Sequence, residues 1–419
     1  MLAEVVFVTR FLALVSGRTP VTLQADSSVR SIEIRRNDVP LVTLTNPPWS
    51  TSIDLGPDIA PQVLTAIGRD AHGNEVGRDM QVLNLARPLA EVSILVDRSG
   101  DEWTARITST HLLSKTRTST VVMLDGKTIR RGNAVEDVFL GSLDDRKIHS
   151  VRAEVDYEDR TKARTEVVFG GIYTEQMPAE LTSVAMRLHG DGGAGCLTFN
   201  ERPVVPNALE RGSAEVFFVI LPGAVRERNR LRSWSISPAR FLIPDTDLLV
   251  VSPVSRKLAT SEELDTDLFS QTVETGRWGT FQVVTSNRRF AGPVRAADAV
   301  AASGVRALAH GLRRAVVLVI AKGDEQMDAS TQSASAVRRY LHRIGVPLYI
   351  WSIDGRNPEV EAAWGSATDI SSAQKLRAAT QELENDLDTQ RIAWLPLAPI
   401  DALSVTSARD CSMTPLFAK

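Results

Sequence analysis

Apolar and polar positions alternate with a period of two through most of the first 175 residues. Val21-Thr-Leu-Gln-Ala25 and Ser31-Ile-Glu-Ile-Arg35 each put apolar side chains on one face and polar ones on the other, as a half-buried strand does. A polar turn at Asn37-Asp38 leads into Leu41–Thr45, and Pro47-Pro48-Trp49 is rigid punctuation. Gln62–Ile67, a turn-rich loop from Asp70 to Glu75, and Gln81–Leu85 complete a first set of short strands. Residues 89–175 repeat the pattern. Val92–Val96 is a strand, and Trp103, Ala105 and Ile107 share one face of the next. Thr120–Leu124 runs into Asp125-Gly126, a hairpin turn signal, and Val151–Val155 and Thr165–Phe169 flank another turn. Asn37-Asp38 and Asp125-Gly126 stand about 88 residues apart, one small-sandwich length. The pattern predicts two tandem immunoglobulin-like β-sandwiches, residues 1–88 and 89–175.

Residues 176–212 are broken by proline and glycine and read as a linker. Within them, Gly190–Gly195 lacks the spacing of a phosphate-binding loop. From residue 213 the period of two disappears. Glu215–Leu221, Asp247–Ser252, Arg314–Ile320 and Val346–Ile353 are near-continuous apolar runs, as strands buried on both faces should be. Helical spacing intervenes: Ala334, Val337, Leu341 and Ile344 share one face, and Leu376, Ala379, Leu383 and Leu387 another. Alternating strands and helices predict an α/β doubly wound, Rossmann-type domain over 213–400, with Ile392–Leu397 as its last strand and 401–419 as a tail.

Composition narrows the function classes. With 48 basic and 51 acidic residues, the net charge of -3 argues against a nucleic-acid partner for the whole chain. No apolar run is long enough for a membrane-spanning helix. The first ten residues lack the basic and long apolar regions of a secretory signal and alternate like a strand, so they leave the compartment open. Two cysteines, Cys196 and Cys411, exclude a thiolate zinc site and leave open whether they pair. The six histidines are scattered singly, without metal-ligand spacing. Neither a GxSxG nucleophile elbow nor a GxGxxG turn after a strand occurs. No cofactor is expected. The seven tryptophans read mostly as core, Arg226–Arg232 as an exposed basic helix face, and Glu382, Glu384, Asp386 and Asp388 as a solvated face.

The second half resembles a von Willebrand factor A domain. The resemblance rests on element order: the strand Val216–Leu221, the block Arg313–Ile320, the Gly345-Val-Pro-Leu-Tyr-Ile350 stretch after a helix, Trp364–Asp369, and a long final helix. The whole layout is similar to bacterial VWFA-related proteins, which are usually exported, and this implies an extracytoplasmic setting. Metal-binding members carry DxSxS after the first strand, whose oxygens hold a divalent cation. Here the matching stretch is Leu221-Pro222-Gly223-Ala224-Val225, without carboxylate or hydroxyl. A second family aspartate, before glycine at the end of the central strand, is replaced by Lys322 before Gly323. The expectation is a degenerate, metal-free site. Asp97-Arg-Ser99-Gly-Asp101 mimics the start of the motif but precedes an alternating strand, and reads as a hairpin turn.

Ligands of open α/β sheets bind beyond the carboxyl ends of the strands. Pro222, Gly223, Ser252, Lys322, Gly323, Asp324 and Asp354 therefore form the candidate protein-binding rim. The leading expectation is a non-enzymatic multidomain protein that binds an unidentified protein partner. The alternatives are a Mg²⁺- or Ca²⁺-dependent adhesion module using displaced acids, and a hydrolase built on the α/β domain.

Overall fold

The computed structural model describes residues 5–11, 13–86, 89–111, 114–159, 161–171, 173–179, 181–189, 196–225, 243–255, 269–274, 279–285, 292–324, 328–355, 357–408 and 411–417. The first sandwich is built from β1 (Val5–Phe7), β2 (Arg18–Ala25), β3 (Ser31–Arg36), β4 (Val39–Leu44), β5 (Ser50–Asp54), β6 (Gln62–Arg69) and β7 (Glu75–Leu83). Among the described residues they form a three-stranded sheet, β1-β2-β5, facing a four-stranded sheet, β4-β3-β6-β7. Alternation in β2 and β3 sends Val21, Leu23, Ile32 and Ile34 inward against Phe7, Leu64 and Leu83. Asn37 (φ 48°) and Asp38 (φ 64°) both take left-handed backbone, which lets the β3–β4 hairpin turn with the twist of its strands.

The second sandwich repeats this order. It contains β8 (Ala90–Ser99), β9 (Glu102–His111), β10 (Arg117–Leu124), β11 (Lys127–Gly132), β12 (Asp137–Ser142), β13 (His149–Tyr157), β14 (Lys162–Gly170) and β15 (Tyr173–Ala179). Its sheets run β12-β9-β8 and β11-β10-β13-β14-β15 among the described residues, the first sandwich's plan with one added edge strand. Asp125 (φ 48°) and Gly126 (φ 78°) occupy the turn that Asn37 and Asp38 occupy in the first repeat. The Asp97–Asp101 stretch is a hairpin, with Ser99 paired to Glu102.

Four strands lie where a linker was expected: β16 (Thr182–Leu188), β17 (Leu197–Phe199), β18 (Arg202–Val204) and β19 (Ala208–Glu210). β18 pairs with β17, and β16, β17 and β19 pair with segments near the other end of the chain, which a local reading of 176–212 cannot reveal. The α/β unit follows: β20 (Ala214–Ile220), β21 (Thr246–Ser255), β22 (Phe269–Glu274), α1 (Thr280–Thr285), α2 (Ala296–Ala309), β23 (Arg313–Ile320), α3 (Ala334–Arg343), β24 (Leu348–Ser352), α4 (Pro358–Trp364), β25 (Thr368–Asp369) and α5 (Ala373–Thr389). The sheet order among the described residues is β22-β21-β20-β23-β24-β25, with β22 antiparallel to β21 and the other pairs parallel. One face packs on α2, α3 and α4, the other on α1 and α5, so both β20 and β23 are buried throughout. The expected helix face Leu376, Ala379, Leu383 and Leu387 is buried.

Two further expectations are corrected. Ile392–Leu397 does not extend the parallel sheet. β26 (Gln390–Leu395) pairs antiparallel with β16 and β19 instead, because its partners sit outside the α/β layers. Residues 401–417 are not a free tail: α6 (Pro399–Ala402), β27 (Thr406–Ser407) and β28 (Met413–Pro415) fold onto β16 and β17. The result is a small β module of two sheets, β19-β26-β16-β28 and β18-β17-β27, with the α/β unit inserted between its halves. Val184, Met186, Leu197, Leu395 and Met413 form its core. A Cys196–Cys411 disulfide joins the halves across 215 residues of sequence.

The units pack directly on one another. Leu14 and Ile59 of the first sandwich enter the apolar cluster under α2 and α3, and Tyr340 Oη donates to Asn84 O at 2.8 Å. Arg164 of β14 pairs with Glu154 and Glu210 and lies over the Trp394 ring, 4.3 Å from its centre. The acidic face expected to be solvated is partly engaged, since Asp386 pairs with Arg187 and Asp388 with Arg211. Trp351, Trp364 and Trp394 are buried. The Arg226–Arg232 run, Gly190–Gly195, Trp234 and Trp278 lie outside the described residues.

Candidate functional site

The rim is set by where β20 and β23 stop. After Ile220 the backbone turns through Leu221 into one helical turn at 222–225, whose Val225 N donates to Leu221 O. After Ile320 the chain turns at Lys322-Gly323, where Gly323 has a φ of 88°. The next residue, Asp324, is 0% exposed. Its carboxylate points into the fold, against the expectation of a rim residue. Oδ1 accepts from Gly223 N at 2.6 Å, and Oδ2 accepts from Ala321 N at 2.9 Å and Ala224 N at 3.3 Å. Charge-assisted bonds of this kind are among the stronger ones available to a buried carboxylate. The acid thus ties the two strand-end loops together.

The other rim residues are arranged around this knot. Asp354 Oδ2 accepts from Lys322 N at 2.8 Å, and its Oδ1 accepts from Ser352 Oγ at 3.1 Å. Ser352 Oγ also bonds Gly355 O. The Lys322 side chain is exposed, while Asp354 and Pro222 are half-buried. Ser252 stands on neighbouring β21, where its hydroxyl accepts from Val254 N at 3.3 Å within its own turn. The structure therefore brings Pro222, Gly223 and Asp324 into one group and Lys322 and Asp354 into a second. Ser252 serves the end of its own strand.

A second acidic knot beside the rim was not anticipated. Asp298 in α2 is 0% exposed and pairs with Arg295 at 2.7 Å. It also accepts from Thr331 N at 2.9 Å and Gln332 N at 3.1 Å. Asp328 accepts from Ala296 N and Ala297 N, supplying acceptors to the first free donors of α2. The signal available in the sequence was Asp298 itself, one acid in the apolar helical stretch Ala296–Ala302. These bonds fix the segment after β23 against the start of α2, so the strand-edge loops form a held surface.

A hard divalent cation needs six or more oxygen ligands, with carboxylates supplying most of the charge. The turn 222–225 is Pro-Gly-Ala-Val and supplies no side-chain oxygen. Both Asp324 oxygens already face N–H donors, and Lys322 brings a positive charge to the same loop. The donor set does not fit the cation that the resembled family uses. Among the described residues, no group of three or more His, Cys, Asp or Glu side chains is placed to hold a metal ion.

No family model matches the chain, and no curated protein matches it. Among solved structures it is similar to the fibronectin(III)-like modules of Clostridium thermocellum CbhA, at 12% identity over 40% of this chain and 93% of that one, with a TM-score of 0.17. The central fibronectin-III array of RIM-binding protein matches at 8% identity over 46% and 80% of the two chains, TM-score 0.21. A glycoside hydrolase family 2 β-glucuronidase matches at 10% identity over 50% and 28%, TM-score 0.21. Scores this low bear on neither fold nor function.

Proposed function

We propose that this is a non-enzymatic, multidomain binding protein whose α/β unit is a metal-free relative of von Willebrand factor A domains. The sandwiches act as spacers or docking modules, and the strand-edge rim meets a protein partner. The observation that carries the reading is Asp324. Its carboxylate accepts from Gly223 N, Ala224 N and Ala321 N, so the two strand-end loops are tied together through donors of the chain itself. The sheet order with an antiparallel outer strand β22 supports the resemblance. Exposed Lys322, with half-buried Pro222 and Asp354, then offers recognition by charge and shape, whereas Gly223 is buried and serves the Asp324 knot. The Cys196–Cys411 disulfide supports an oxidising, extracytoplasmic setting. Among the described residues no helix is long and apolar enough to cross a membrane.

The test is thermal unfolding of the whole chain in EDTA and then in millimolar Mg²⁺, Mn²⁺ or Ca²⁺. A native-state site at about 100 times its dissociation constant adds ~2.7 kcal/mol, a shift of a few degrees. The expected result is no shift. A metal-dependent rise would overturn the metal-free reading and favour an adhesion module using other acids. Turnover in an ester, glycoside and peptide substrate screen, lost in Asp354→Ala, would overturn the non-enzymatic one.

A further inference from the structure

A cavity of about 210 Å³ lies where all four units meet. Leu85 comes from the first sandwich, Arg164 from the second, Trp394 from the small β module and Arg314 from the start of β23. Most of the wall is apolar, and among the described residues no carboxylate lines it. Yet four cations or potential cations do: Lys162, Arg164, His310 and Arg314. Three of them have an acid elsewhere. Lys162 pairs with Asp156, Arg164 with Glu154 and Glu210, and His310 with Glu215.

Arg314 differs. It is 1% exposed, its Nε donates to the carbonyl of Gly345 at 3.2 Å, and its Nη1 has no hydrogen-bond partner. Burial alone pulls its pKa down to about 10, and no neighbouring charge offsets that pull. An ionised group without a counter-ion is expensive to bury. Arg164 lines the same cavity, and its buried Nη1 also lacks a hydrogen-bond partner. A guanidinium suits a planar carboxylate in a two-pronged fit, and apolar walls suit an apolar body.

We propose that this junction cavity binds a small organic monocarboxylate, its carboxylate on Arg314 and its aromatic or short aliphatic body against Trp394 and Leu85. The ligand supplies the missing counter-ion and contacts all four units at once, so its binding stabilises their mutual arrangement.

The test uses the whole chain, with benzoate and hexanoate as probes and benzyl alcohol and hexanol as neutral counterparts. Unfolding temperature and tryptophan fluorescence are read as each is titrated. Benzoate or hexanoate should raise the unfolding temperature and change the emission, while the alcohols do much less. In Arg314→Met the carboxylate affinity should fall about tenfold or more, as for any lost charge-assisted bond. Should that variant fail to fold, Ser183→Leu fills the cavity from another wall and should abolish the response. Equal effects from acid and alcohol, no effect up to millimolar carboxylate, or an undiminished effect in the variants would overturn the proposal. Equal effects from inorganic phosphate would overturn the part assigned to the apolar body.

Discussion

A β-carbon on Gly223 would stand 2.5 Å from Asp324 Oδ1, so the glycine and the inward-turned acid require each other. Gly223→Ala should cost about 1–3 kcal/mol by overpacking. Asp324→Ala strands three buried N–H donors and should cost about 3 kcal/mol or more. In urea unfolding the double variant should lose less than the sum, since the clash disappears with the carboxylate. Strict additivity would mean that the two do not share this space.

The contact between the first sandwich and α3 includes a buried hydrogen bond and an exposed ion pair. Tyr340→Phe removes the bond to Asn84 O and should destabilise by about 1 kcal/mol or more, because the carbonyl loses its partner. Arg339→Ala breaks the pair with Asp58, whose arginine is half exposed, and should change stability by less than about 1 kcal/mol. Denaturant midpoints of the two variants in the whole chain give the comparison.

His310 gives a pH signature. Burial opposes its protonation, but the bond to Glu215 at 2.6 Å and that carboxylate's charge outweigh burial and hold its pKa above the usual 6.5. Asp159 adds to the rise and Arg306 works against it. A raised folded-state pKa means the folded form binds the proton more tightly than the unfolded chain. Its contribution is therefore complete below pH 6.5 and is lost as pH climbs through the folded-state value. Unfolding free energies measured from pH 6 to 9 should fall more steeply in the native protein than in His310→Gln. Parallel curves would remove the pair from any role in stability.

The disulfide closes the small module around the inserted α/β unit. Cross-linking across 215 residues constrains the unfolded chain, by on the order of 5 kcal/mol on a chain-entropy account. Cys411→Ser, or reduction of the native protein, should lower the unfolding temperature. An unchanged temperature would show that strand pairing alone holds the module closed.

What could be read locally was legible. The hairpin signals at Asn37-Asp38 and Asp125-Gly126 mark matching turns, and the apolar runs of β20 and β23 lie in the centre of the parallel sheet. What depends on distant partners was not. Thr182–Leu188 is a strand because Leu395 through Gln390 lie beside it, over 200 residues away, and nothing local specifies that pairing. The direction of the Asp324 side chain was hidden for a related reason. Lys-Gly-Asp-Glu reads as a solvated loop until the amides of Gly223 and Ala224 arrive from another strand. Arg314 was legible as a strand residue but not as an unmatched charge, since that follows from what surrounds it.

The insertion of the α/β unit has a mechanical consequence. β16 and β28 are direct antiparallel neighbours, and the disulfide bridges the same module. Tension applied between residue 182 and residue 415 therefore enters and leaves through adjacent strands of one small sheet. The covalent load path runs through Cys196 and Cys411 and leaves the 176 residues from Ala214 to Thr389 as a side loop. The strand-edge rim would keep its shape while the chain on either side of it is under strain, as a sensor mounted beside a cable does.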